Sequence, residues 1–427
     1  MKLWTKETVD KEIEAFTIGD DAELDMLMAE YDVIGSLAHI QMLKSIGILS
    51  PEELEVLTAA LKEIQKEIQT GDFEIQEGVE DIHSQVELKI TERYGEVGKK
   101  IHTGRSRNDQ VLVDIRLFLR EEVKVISQDV GQLAEALLLR SEQHSKDLMP
   151  GYTHMQVAML SSFGLWFGAY AESLADDLIL MKSAYDVINQ NPLGSAAGYG
   201  SSFPINRSLT TQLLGFNDLA YNSIHAQMGR GKTELVASFA LAGLASTINK
   251  LASDICTYSG QNFGFFEVDT RFTTGSSIMP HKRNPDVLEL MRAKCNQVMS
   301  IPNEIMLLTS NLPVGYHRDF QLLKEKLYPA LSTVKRMAHI LTEVINSIEV
   351  NPSVLDDPIY DNLYTTEAIN ALVVQGVAFR DAYHTVATQV KTNVFDRNIA
   401  GIQYSHEGSI GNLCTDKIRR KLTERVL

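Results

Sequence analysis

Apolar residues recur along this chain at spacings of three and four, and period-two strand text is almost absent. Ser50-Pro51-Glu52-Glu53 opens one such run, with Ser50 as cap, Pro51 in the first turn and acids behind it. Leu54, Leu57, Leu61, Ile64 and Ile68 follow at helical spacing until Gly71-Asp72 ends the run. The longest pattern is Leu112, Ile115, Leu119, Val123, Ile126, Val130, Leu133 and Leu137, a coiled-coil-like seam. Continued from Asn108 to about Lys146, it predicts a helix spanning roughly 55–60 Å at 1.5 Å per residue. Further helices are expected from Leu160 to about Gln190 and over 233–259, the latter with Leu235, Phe239, Ala242, Ala245 and Ile248 along one face. Two more run from Pro285 to about Ser310 and on to about Ile348. No small domain buries such rods alone. The pattern therefore predicts an all-α protein whose central long-helix bundle is shared between subunits. The expected division is an N-terminal helical domain at 1–107, the long helices at 108–350, and a small helical domain at 351–427 after Asn351-Pro352.

Composition narrows the partners. At 427 residues and 47.6 kDa, the chain exceeds one typical core. A net charge of −16 and a pI near 5.2 argue against nucleic acid or an anionic membrane. Cys256, Cys295 and Cys414 stand far apart with no CxxC pair, which points to a reducing compartment, with neither a disulfide framework nor a zinc site. The first residues hold no apolar signal region, and no run of 18 apolar residues occurs, so a cytosolic protein is expected.

Candidate chemistry concentrates in three polar loops at the ends of long helices. His102-Thr-Gly-Arg105-Ser-Arg107-Asn108-Asp-Gln110 gathers two arginines, hydroxyls and an amide, types that bind carboxylates, within an acidic chain. Met149-Pro-Gly-Tyr-Thr153-His154-Met-Gln156 breaks the long helix. His154 reads either as an acid or base near neutral pH or as a structural residue. Thr274 to Asp286 carries paired serines and Lys282-Arg283. Asn284 reads as an N-cap, Pro285 as the first helical position and Asp286 as a first-turn acid, so upstream N–H groups and Lys282 face an anion there. His83, in Glu80-Asp-Ile-His83, reads alone as an ordinary structural histidine. Two glycine-rich runs do not carry nucleotide chemistry. Asn191 to Gly200 follows a helix and lacks GxGxxG spacing. Met228-Gly-Arg-Gly-Lys-Thr233 would need a glycine where Ala226 stands.

Residues 275–285, GSSIMPHKRNP, match the motif GSSxMPxKxNP and resemble the fumarase/aspartase superfamily, whose members release fumarate by β-elimination. Taken with HTGRSRNDQ at 102–110 and GYTHMQ at 151–156, the chain is similar to the argininosuccinate lyase family from Asp32-Val-Ile-Gly-Ser36 to Lys324. Fumarases and aspartases share the third loop without the first. Adenylosuccinate lyases favour the His-Lys-Arg seen at 281–283, but their first loop differs.

The resemblance implies a three-domain, all-α fumarase/aspartase-like fold and a homotetramer with sites shared between subunits. It implies reversible cleavage of argininosuccinate to arginine and fumarate, with no cofactor and no metal. Ser276 would be the base, His154 the acid, Glu289 the partner of that histidine, and Lys282 a stabiliser of negative charge. The implied substrate contacts are Ser36, His83, Arg105, Arg107, Asn108, Thr153, Asn284, Tyr316, Gln321 and Lys324. The chain departs from the family at Tyr316-His-Arg-Asp-Phe-Gln-Leu-Leu-Lys-Glu325, where the family carries Glu-Asp between the Gln and the Lys. Two other readings accompany this one: an adenylosuccinate lyase, which would need purine and phosphate sites, and a non-catalytic, crystallin-like relative.

Overall fold

The computed structural model describes residues 11–399 and 401–427, so the reading of the first ten residues lies outside the described part. Helices α1 (Lys11–Ile18), α2 (Asp21–Met26), α3 (Ala29–Ser45), α4 (Pro51–Thr70) and α5 (Ile82–Tyr94) precede the long α6 (Arg107–Gln143). A hairpin of β1 (Leu148–Thr153) and β2 (Gln156–Ser162) leads to α7 (Phe163–Ile188) and the short α8 (Arg207–Leu213). Then come α9 (Ser223–Tyr258), α10 (Asp286–Thr309), α11 (Leu322–Ser347), α12 (Thr365–Val374), α13 (Phe379–Lys391) and α14 (Thr415–Arg425). The fold is all-α, as the periodicity predicts. The other strands among the described residues are two-residue pairs.

Packing divides the chain into two compact units. One comprises Met1–Ile126, Leu180–Ala242 and Val298–Val334; the other comprises Ser127–Ile179, Gly243–Gln297 and Lys335–Leu427. In the first, α3, α4 and α5 close on a core of Val33, Ile40, Leu57, Leu61, Ile64, Ile82 and Ile90. Each fully buried Leu or Ile contributes about 1.5–3 kcal/mol by leaving water. The start of α4 is the expected capping box: Glu53 N–H donates to Ser50 Oγ, and Ser50 N–H donates to Glu53 Oε2 at 3.0 Å. In the second unit, α14 is tied to α6 through Arg419 with Glu135 and Glu142, and to α7 through Arg425 with Asp176.

The seam of α6 is buried throughout, with no seam residue more than 3% exposed. Two other expectations are corrected. The segment before α7 is a hairpin, and the helix begins only at Phe163, where Ser162 Oγ accepts from Leu165 N–H. Gly151 lies so close to Met159 O that a Cβ would sit 2.7 Å from it, so the strands can pair tightly there. In α9 the expected Ala245 and Ile248 are fully buried, together with Ala237, Leu241 and Leu244, whereas Phe239 is 51% exposed. The expected stripe therefore holds at its C-terminal end and misses at Phe239. This helix also breaks at Arg230 (ψ 131°) and Gly231 (φ 81°). Among the described residues, α9 is the one helix long and apolar enough by composition to cross a bilayer. Half of its apolar window is buried inside the protein.

Candidate active site

Two regions collect the residues singled out in the sequence, one in each unit. The first is a cavity of about 160 Å³ whose wall includes His83, Arg107, Asn108, Tyr316, Gln321 and Lys324. Local capping aims these side chains. Asp81 caps α5 by accepting from Ser84 N–H at 2.8 Å, which puts His83 in the first turn. At the start of α6, Asp109 Oδ1 accepts from Ser106 N–H at 2.7 Å. Its Oδ2 accepts from Gly194 N–H at 2.9 Å and Ala196 N–H at 3.0 Å. A single buried carboxylate thus fixes both the arginine loop and the glycine-rich loop, and Arg107 and Asn108 emerge at a set angle.

Charges of both signs face this cavity. Arg107 donates to Glu80 at 2.8 Å and to Ser84 Oγ at 3.0 Å, and Arg318 reaches the other oxygen of Glu80 at 3.1 Å. Burial disfavours the charged form of Glu80, but these arginines outweigh it and hold its carboxyl below the usual range. Lys324, 3% exposed, is bound by Asp21 and Asp25 of α2. Gln321 Nε2 donates to the carbonyls of Thr17 and Ile18 at the end of α1. The Arg230–Gly231 break in α9 turns Arg230 into the same wall. Its Nη2 donates to Phe320 O at 2.9 Å and its Nε lies 3.1 Å from Glu234.

Asp21, Asp25, Glu80 and Arg230 were not among the sequence candidates. Asp21 and Asp25 stand four apart on one short helix, and Arg230 sits in the glycine-flanked run set aside as nucleotide-like. Both signals are local and weak. Leu322 and Leu323, where the family carries its acidic pair, contribute no charge, and Leu323 is fully buried. Carboxylates instead reach Lys324 from α2. Ser36 and Arg105 do not line the cavity; both are buried, Arg105 beside Asp32 and Asp114. Burial and the Arg105 charge push His39 well below the ordinary histidine range.

The second region is the 274–286 loop. Thr274 and Gly275 pair with Asn284 and Arg283 in a minimal antiparallel ladder that closes the loop. Within it, Ser276 Oγ accepts from Met279 N–H at 3.1 Å, and Lys282 N–H donates to Met279 O at 3.0 Å. Because Asn284 is held in the ladder, α10 begins at Asp286 and Pro285 takes the cap position, so the expected cap is shifted by one residue. Lys282, Asn284 and Glu289 share the wall of a cavity of about 1030 Å³. Ser276 is not part of that wall. His154 and Thr153 lie exposed at the tip of the hairpin, where His154 (φ 52°) and Met155 (φ 63°) form a two-residue turn. Among the described residues, no hydrogen bond joins His154 to Ser276 or to Glu289.

A family described as "Lyase" matches residues 5–300. An argininosuccinate lyase of Bacteroides thetaiotaomicron is 54% identical over 418 residues, covering 98% of this chain and 94% of that protein. One from Thermotoga neapolitana is 41% identical, covering 90% and 97%. Among solved structures, an EDDS lyase in complex with formate superposes with a TM-score of 0.81 at 24% identity, over 99% of this chain and 91% of that one. A fumarate lyase:delta crystallin from Brucella melitensis bound to cobalt gives 0.75 at 17% identity, over 95% and 91%. At these identities the structural likeness concerns the fold.

Proposed function

The chain belongs to the argininosuccinate lyases of the lyase family, and from that premise we propose that it reversibly cleaves argininosuccinate into arginine and fumarate, the last step of arginine biosynthesis. The observation that carries the reading is the cavity of the first unit. Six of the implied substrate contacts meet there, among acids and bases in near-equal number. A wall of mixed sign suits a substrate with several carboxylates, an ammonium and a guanidinium. It offers no apolar slot for a purine, which disfavours an adenylosuccinate substrate.

In the proposed reaction a C–H bond and a C–N bond break and a C=C bond forms. Ser276 removes the proton next to a carboxylate, and the negative charge spreads into that carboxylate. His154 then protonates the leaving guanidino nitrogen, with Glu289 orienting the ring as the acid of a triad does. A serine hydroxyl needs help to act as a base. The turn N–H of Met279 at its oxygen supports that role, and Lys282 supplies a cation for the developing charge. These steps balance without electron transfer or a bound cofactor.

Ser276, His154 and the arginine loop come together, in our reading, in a cytoplasmic homotetramer whose subunits share sites. Large apolar side chains left exposed on long helices support it: Phe239 on α9, and Leu290 and Leu307 on α10, each more than half exposed. Light scattering that finds a monomer at micromolar concentration overturns this arrangement. For the activity, purified protein is incubated with argininosuccinate or succinyl-AMP while fumarate absorbance is followed. Fumarate from argininosuccinate alone is expected. Release from succinyl-AMP alone, or from neither, overturns the assignment, and the latter favours the crystallin-like reading.

A further inference from the structure

Behind the cavity lies a sealed group of charges that the proposed steps do not use. His83 lines the cavity, and its Nδ1 is 2.7 Å from Asp32 Oδ1 on α3 and 3.5 Å from Asp114 Oδ2 on α6. Both carboxylates are 1% exposed. Three of their four oxygens, Asp32 Oδ2 and both of Asp114, have no hydrogen-bond partner. Arg105 is buried as well and interacts electrostatically with Asp32, Asp109 and Asp114. Burial and the neighbouring Asp32 charge push the Asp114 carboxyl well above the ordinary range, so Asp32, 2.7 Å from the ring, is the carboxylate that needs an answer. A protonated ring answers that carboxylate, and an unanswered buried charge is expensive. Nδ1 is committed to Asp32, so the Nε2 edge is the one left to the cavity.

We propose that Asp32 is a positioning residue: it fixes the His83 ring as an imidazolium with Nε2–H directed into the cavity, where His83 binds a substrate carboxylate and takes no part in proton transfer. This rests on the reading of the cavity as the substrate site. Other charged groups around the ring are Asp81 at the cap of its own helix and His102 and Arg107 around the start of α6. From α2, Asp25 accepts from Ile82 N–H at 3.3 Å and is itself bound by Lys324 of α11. Burial opposes the charged ring, but Asp32, then Asp114 and Asp81, outweigh it and raise His83 to about 9. The ligand atoms of Asp32, His83 and Asp114 also lie within 4.8 Å of one another, as around a divalent ion. The 2.7 Å hydrogen bond and the guanidinium alongside favour a proton there.

The test is KM for argininosuccinate between pH 6 and 8.5 in the unaltered enzyme, Asp32→Asn and His83→Gln. The unaltered enzyme is expected to hold KM flat. In Asp32→Asn the ring loses its proton near the ordinary histidine pKa, about 6.5. KM should then rise at least tenfold from pH 6 to 8 while kcat stays within twofold. His83→Gln should show a raised KM with no such pH dependence. A high KM in His83→Gln with a pH-flat KM in Asp32→Asn overturns the positioning role and leaves the cavity reading intact. No KM change in His83→Gln or in Arg107→Ala overturns the cavity reading itself. Should Asp32→Asn fail to fold, ¹³C-histidine resonances of the unaltered enzyme decide, with His83 assigned by its absence in His83→Gln. A ring titrating below pH 7, or a stoichiometric divalent ion in the purified enzyme, overturns the proposal.

Discussion

The cavity of the first unit and the 274–286 loop of the second are both rich in cations, and they hold them in opposite ways. Around the cavity each named cation is already answered: Lys324 by Asp21 and Asp25, Arg107 and Arg318 by Glu80, and His83 by Asp32. In the loop, His281, Lys282 and Arg283 are exposed, and no carboxylate pairs with them among the described residues. A paired, buried charge cannot be withdrawn without leaving its partner stranded, so it defines a shape. An exposed and unpaired one is still available to a charge that forms during a reaction. The contrast separates a region suited to recognition from one suited to chemistry.

The sharpest way to break this contrast is Lys324→Met, which strands two acids beside a buried site. Loss of a buried partner typically costs about 3–5 kcal/mol, and a urea midpoint should register a loss of that order. An unchanged midpoint would mean that the cavity charges are not structural. Next comes pH. His83 is raised to about 9 in the folded protein against an ordinary 6.5, so the stability it contributes is fully present below pH 6.5 and lost as pH rises through 9. His102 is lowered to about 4 by burial and by the charges of Arg105, His83 and Arg107. Protonation below pH 6.5 therefore favours the unfolded chain, and stability falls as pH drops from 6.5 toward 4. Denaturant midpoints should peak near pH 6.5 as far as these two rings decide, and a midpoint rising from pH 7 to 9 contradicts a raised His83.

Lys282→Met should leave the midpoint in place and lower kcat by at least about tenfold, a floor below the usual loss on removing one charge-stabilising donor. Near-normal turnover removes Lys282 from the chemistry. The mildest comparison uses two glycines. Gly231 has φ 81°, and a Cβ there would sit 2.6 Å from Thr309 Cγ2, so Gly231→Ala should lose about 1–2 kcal/mol or more. Gly275 has open space around its missing Cβ, and Gly275→Ala should stay within about 0.5 kcal/mol. Equal losses would erase the distinction between the two regions.

The long helices were legible because burial imposes a strict period, and the α6 seam shows it residue by residue. The face of α9 was legible only at Ala245 and Ile248. Leu235, Phe239 and Ala242 are as apolar as the buried Ala237, Leu241 and Leu244, and sequence alone does not say which stripe meets this chain's own core. The loops were legible as clusters of anion-binding types. Asp21 and Asp25 were hidden because their meaning depends on Lys324, some three hundred residues away, and Arg230 because a helix break aims it. Asp32 was visible only as part of a motif, although it holds the histidine that the cavity presents.

The hairpin tip carries a consequence of its own. A two-residue turn with both residues left-handed is the type that asparagine-glycine fits best, and His154-Met155 holds it against a bias of about 1–2 kcal/mol for each side chain. A lineage released from catalysis would gain stability by drifting to Asn-Gly at these two positions, at no penalty to the strands on either side. The turn is thus a place where thermal robustness and the proposed acid pull the sequence in opposite directions, and a library selected only for heat resistance should lose the histidine first.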